Sequence, residues 1–122
     1  MSKFRVMIVK KNGQPVGVRA ATINGRTIVL GLRDEPNEMN WHDAVKLRIP
    51  TKEEWIEITK NLDAVNAALV RVGGEPLKND WYWSSSESDE KWAWPLRIGY
   101  SFGCNYVSQK NNVYCVRQKL TL

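Results

Sequence analysis

Residues 50–74 read PTKEEWIEITKNLDAVNAALVRVGG, and their periodicity decides the fold class. Thr51 stands at a helix N-cap and Glu54 follows three residues later. That is a capping box, in which each side chain satisfies the other residue's backbone N–H. Trp55, Ile58, Leu62, Val65, Leu69 and Val72 then recur at spacings of 3, 4, 3, 4 and 3. Such spacing draws one apolar stripe along a helical face. Asn61 and Asp63 mark where one helix can end and a second begin. Gly73-Gly74 closes the pattern as a C-cap.

Upstream of the helices the signals are those of strands. Phe4, Val6 and Ile8 alternate with Arg5, Met7 and Val9, which predicts a strand. Lys11-Asn12-Gly13-Gln14-Pro15 is turn chemistry, and residues 16–22 predict a second strand. Asn24-Gly25 signals a tight hairpin that returns as a third strand over 27–32. A polar loop covers 33–38, and Asn40 can cap a short helix over 41–47. Downstream, residues 81–122 read as short strands joined by polar loops. The order predicts one α+β domain over residues 1–122. Residues 1–38 form its β-rich part, 39–74 its helical part and 80–122 a β/loop part.

Composition narrows the function classes. At 43% apolar and 25% charged, the chain has the make-up of a globular domain, not a disordered or fibrous one. No apolar run approaches the length of a membrane span. The opening MSKFRVMIVKKNG has no signal-peptide core, because Lys10 and Lys11 end its apolar stretch. A cytoplasmic or virion-associated protein is the expectation. Two cysteines, Cys104 and Cys115, and one histidine, His42, provide neither a disulfide framework nor a zinc set; free thiols are expected, with a Cys104–Cys115 bridge across two neighbouring strands as the alternative. Glu35-Pro36-Asn37 spells a sugar-binding tripeptide of calcium lectins, but it precedes the helices instead of lying in a late loop. No glycine-rich phosphate loop or nucleophile–base pair is visible. A non-enzyme without metal or cofactor is expected.

Charge is segregated along the chain. Residues 1–33 carry seven Lys/Arg and no acid, residues 92–122 carry four and no acid, and all thirteen acids lie between Asp34 and Glu90. If the two ends meet, they can form a basic face. Nucleic-acid binding by the terminal strands is therefore an alternative function.

The run WYWSSSESDEKWAWPL at 81–96 holds four of the six tryptophans, in two W-x-W pairs around a polar run. Trp81 and Trp83 alternate, so their rings share one side of a strand. Trp83 and Trp94 are expected in the core. The serines Ser84-Ser85-Ser86 suit close backbone packing and local side-chain bonds.

An ordered set of segments carries a family resemblance. It runs N-W-H-D-A at 40–44, I-P-T-K-E-E-W at 49–55, G-G-E-P-L at 73–77, W-Y-W-S-S-S-E at 81–87, A-W at 93–94, a lone lysine, and V-R at 116–117. Over about residues 39–118 the chain resembles the DUF1566-like C-type-lectin-fold proteins of gut Bacteroidetes and their phages. These include the variable proteins of diversity-generating retroelements. The family often ends in V-R-P-V, whereas here Val116-Arg117 is followed by Gln118-Lys119. The resemblance implies a C-type-lectin-like fold with small twisted antiparallel sheets, two or three helices and adjacent termini. It implies non-catalytic ligand binding, with the Y-W-S-S segment as scaffold and the ligand face built after it.

The residues agree with that placement. PLRIGYSFGCNYVSQKNNVYC at 95–115 combines rigid Tyr and Phe with adaptable Ser, Asn and Gly, the make-up of a binding surface. It is also rich in the residues that, by the resemblance, adenine-directed diversification can reach, a set that excludes Trp. Residues 88–115 are expected to face a protein or glycan partner. Tyr100, Phe102, Tyr106 and Tyr114 are the candidate anchors, joined by Ser88, Pro95, Arg97, Asn105 and Ser108. A purely structural domain of a larger, phage-type assembly is the further alternative.

Overall fold

Each half of the first sheet begins from a turn written in the sequence. The computed structural model describes residues 4–100 and 106–121. Strand β1 (Met7–Lys11) turns through Asn12-Gly13 into β2 (Gln14–Ile23), which turns through Asn24-Gly25 into β3 (Arg26–Asp34). All four turn residues have positive φ: 53° and 78° in the first pair, 50° and 76° in the second. Two successive positive φ values define the type I′ turn, whose twist matches that of paired strands. The last strand, β7 (Arg117–Leu120), pairs antiparallel with β3 and completes a four-stranded sheet of order β1-β2-β3-β7. Gly17 lies opposite Gly31 in the β2–β3 ladder. A Cβ at Gly17 would sit 2.7 Å from the Leu30 carbonyl oxygen and from Val29 Cγ1, so this close crossing requires glycine.

Three helices follow: α1 (Trp41–Ala44), α2 (Lys52–Thr59) and α3 (Leu62–Arg71). The first is shorter than expected. Val45 already occupies its C-cap. Both bonds of the capping box form, from Glu54 N–H to Thr51 Oγ1 at 3.1 Å and from Thr51 N–H to Glu54 Oε1 at 2.8 Å. The stripe is split between α2 and α3 at Lys60-Asn61, and it is buried. Trp55, Ile58, Val65 and Leu69 are fully enclosed, and Leu62 packs against them from the margin. Their partners come from β2 and β3 (Val18, Ala20, Ala21, Ile28, Leu30) and from Tyr82, Leu96 and Ile98.

The second sheet contains β4 (Trp81–Glu87), β5 (Trp92–Arg97) and the short β6 (Ser108–Gln109), in that order and antiparallel. Trp83 anchors a smaller apolar cluster with Trp41, Ala44, Ile49, Ala93 and Val116. The molecule is thus α+β, with two small antiparallel sheets and three helices. Among the described residues, no helix is long and apolar enough to cross a membrane.

Two expectations are corrected. The terminal strands share a sheet but are not neighbours, because β2 and β3 lie between β1 and β7. Trp94 is not in the core. Ala93 takes the inward position on β5, leaving the Trp94 ring half-buried with Lys52 Nζ 3.6 Å from its centroid. A cation over an indole face stabilises the ring at the surface without deep burial.

Candidate functional site

The indole N–H groups sort the tryptophans into scaffold and surface. Trp41 donates to the Ser84 carbonyl at 3.0 Å, Trp55 to the Trp83 carbonyl at 3.2 Å and Trp83 to the Met39 carbonyl at 3.0 Å. Each scaffold ring is thereby tied to the main chain. The serines between the W-x-W pairs hold the same junction. β4 and β5 lose register between Trp83 and Glu87. There Ser84 Oγ donates to the Trp94 carbonyl, Ser85 N–H reaches the Pro50 carbonyl at 2.9 Å, and Ser86 Oγ accepts Lys52 N–H at 3.0 Å. The polar run therefore fastens the start of α2 to the second sheet.

Trp81 is different. It is half-buried at the start of β4, and its indole N–H makes no hydrogen bond among the described residues. Its ring stacks on Tyr114 at 5.9 Å between centroids and 30° between planes, and meets Tyr106 edge-on at 6.5 Å and 81°. These three rings, with Tyr100 and Pro95, line an open cleft of about 380 Å³. Val107 and Ser108 complete the wall. Among the described residues, no carboxylate, Lys, Arg or His lines it. Tyr100 and Tyr106 are 66% and 58% exposed, so neither is needed to close the core. Ser108 Oγ and Tyr114 OH share a 2.6 Å hydrogen bond, and Asn112 Nδ2 donates to Ser108 Oγ at 2.9 Å.

Of the nine residues expected at a ligand face, five line this cleft: Pro95, Tyr100, Tyr106, Ser108 and Tyr114. Pro95 is buried and forms part of the wall, not a projecting contact. Tyr114 is half-buried and packs 4.8 Å from Trp83, so it also supports the smaller core. Arg97 stands beside the cleft: its guanidinium lies 4.8 Å over the Tyr100 ring and pairs with Asp80 at 3.5 Å. Ser88 is exposed in the β4–β5 turn, its N–H bonded to the Trp92 carbonyl, and it does not line the cleft. Phe102 and Asn105 lie outside the described residues, as does Cys104. Trp81 and Val107 are additions. The alternation of Trp81 with Trp83 carried a signal for the former, but only pairing with Tyr114 turns that alternation into a wall.

A second cleft of about 390 Å³ is lined by His42, Glu90, Lys91, Trp92, Gln109, Lys110 and Asn111. Its chemistry is occupied with structure. Lys110 is buried, donates to Glu87 at 2.7 Å and to the Glu90 carbonyl at 2.9 Å, and lies 4.4 Å over the Trp41 ring. Elsewhere, Glu38, Asp80 and Cys115 bring a thiol and two carboxylates within 4.8 Å of one another. Burial, then the charges of Asp80, Asp34 and Glu38, push the thiol pKa up to about 12. The sulfur therefore keeps its proton at neutral pH, and its 3.8 Å contacts to Glu38 and Asp80 are thiol-to-carboxylate interactions.

The late cations are committed as well. Arg97, Lys110, Arg117 and Lys119 each pair with an acid from the middle of the chain: Asp80, Glu87, Asp34 and Glu54. Comparison with known proteins returns no matching family model, no matching curated protein and no matching solved structure.

Proposed function

We propose that this protein is a non-catalytic binding module of the C-type-lectin-like, DUF1566-like type, presenting the 88–115 surface to a protein or glycan. The observation that carries this reading is the cleft walled by Trp81, Tyr100, Tyr106 and Tyr114. Aromatic rings supply large contact area at low entropic cost. The late cations are paired with acids, while among the described residues no charged side chain lines this wall. The diversified-surface reading rests on the same stretch, whose Tyr, Ser and Asn content fits a face that changes while its tryptophan scaffold stays.

The test uses a glycan array and a displayed peptide library as probes, with the Tyr100→Ala/Tyr106→Ala double variant beside the parent. Both tyrosines are largely exposed, so the melting temperature should be unchanged. Binding should weaken about thirtyfold or more, as for a desolvated aromatic hot spot. Ligands retained equally by both proteins would place the binding face elsewhere.

A further inference from the structure

Independently of the aromatic cleft, we infer that the end of the first sheet beside α2 is a binding site for a doubly charged phosphate group. Strand alternation builds it. Arg26 shares a side of β3 with Ile28 and Leu30, which face the core. Lys119 lies opposite Leu30 in the β3–β7 ladder, so it projects to the same side. The margin of the sheet thus carries two cations on the face that elsewhere carries apolar residues. Arg48 arrives from the segment before α2. Its carbonyl accepts the Lys119 N–H at 2.9 Å, which ties that segment to β7. These three cations and Glu54 line an open cleft of about 300 Å³.

Charge selects the ligand. Glu54 is enclosed, and its Oε1 accepts Lys119 Nζ at 2.7 Å. One acid therefore offsets one cation. Arg26 and Arg48 are exposed, and their guanidinium groups form no salt bridge or hydrogen bond among the described residues. Two positive charges in the lining are left without a counter-charge. A carboxylate or a phosphodiester would bring one negative charge. A phosphomonoester brings about two at neutral pH. Guanidinium forks also match phosphate oxygens in pairs, which an ammonium does not. Val29 and Leu120 add an apolar wall beside the cations, against which the substituent of a small ester can lie.

The experiment titrates the full chain, labelled with ¹⁵N, with glycerol phosphate, inorganic phosphate or acetate at neutral pH and fixed ionic strength. The expected result is a saturable shift of the Arg26, Arg48 and Lys119 backbone amides with either phosphate, and binding by acetate at least about tenfold weaker. Tighter binding of glycerol phosphate than of inorganic phosphate assigns the group to a phosphomonoester; the reverse order assigns it to free phosphate, and either supports the site. Arg26→Gln and Arg48→Gln should each weaken binding about tenfold. Their melting temperatures should match the parent's, because both side chains are exposed. Arg48→Lys, which keeps the charge and loses the fork, should cost less than Arg48→Gln. Lys10→Gln, on the exposed β1 at the other edge of the sheet, should change nothing. Absence of a saturable shift at millimolar phosphate or ester overturns the inference. So does acetate binding as tightly as the phosphates, which would mean that a single charge suffices. A loss in Lys10→Gln equal to that in Arg48→Gln also overturns it, by showing diffuse attraction to the basic surface instead of a site.

Discussion

Glu54 shows how one side chain can join local and long-range structure. Its Oε1 accepts the Thr51 N–H and also Lys119 Nζ at 2.7 Å, linking the start of α2 to the last strand. Burial alone would raise the carboxyl pKa. The Lys119 hydrogen bond, the Thr51 N–H and the charges of Lys119 and Arg26 outweigh it, and the net shift is downward from 4.5. A folded pKa below the unfolded one means the stabilisation is fully present above the unfolded value and is lost as pH falls through the folded value. Glu54→Gln should therefore cost about 1–3 kcal/mol at neutral pH. Its stability gap to the parent should close as the solution is acidified below the carboxylate range. Urea unfolding at a series of pH values measures this, and a gap independent of pH would remove the charge from the account. Cys115 is the opposite case, an acid whose charged form is disfavoured. In a Cys104→Ser background, Cys115 should resist alkylation at mildly alkaline pH until the chain is unfolded. Prompt labelling of the native protein would contradict the enclosed, protonated thiol.

At the scale of elements, what was legible in the sequence was what short-range chemistry dictates. The capping box, the Asn-Gly turns and the stripe of 50–74 all depend on residues a few positions apart, and all form as written. Trp94 was misjudged because burial on a strand depends on which face the partner sheet covers, and Lys52 reaches it from another element. α1 ends early, with Val45 already its C-cap. Leu69 offers the sharpest test of the helical packing. It is fully enclosed on α3, against the first sheet. Leu69→Ala should lower the unfolding free energy by about 2–5 kcal/mol. A loss below about 0.5 kcal/mol, the usual range for exposed sites, would remove α3 from the core.

Over the whole molecule, the segregated charges have a structural meaning that composition did not disclose. Arg117 is fully enclosed, and its guanidinium donates to Asp34 at 2.7 Å and to the carbonyls of Gly31 and Glu75. Asp34 also accepts the Tyr82 hydroxyl at 2.8 Å. The register of β3 against β7 sets Asp34 opposite Arg117. Cations late in the chain thus meet acids from the middle and tie the end of the chain to both sheets. Sequence separation hid these pairs, because each partner lies tens of residues away. The site was half legible for the same reason: its tyrosines stood out by composition, while Trp81 and Val107 joined them only through folding. The pairing also bears on the nucleic-acid alternative. With all four late cations bonded to carboxylates, the exposed cations that the terminal segments keep among the described residues are those of the early one: Arg5, Lys10, Lys11, Arg26 and Arg33. Too few free cations remain on the last strands to make a continuous phosphate-binding face. Duplex DNA should therefore bind more weakly than about micromolar at physiological salt, without sequence preference, and release as salt rises, as expected for non-specific phosphate contacts. Fluorescence anisotropy across a salt series measures this. Tight binding that prefers one sequence and survives physiological salt would instead make the basic sheet the functional surface and reduce the aromatic cleft to a structural feature.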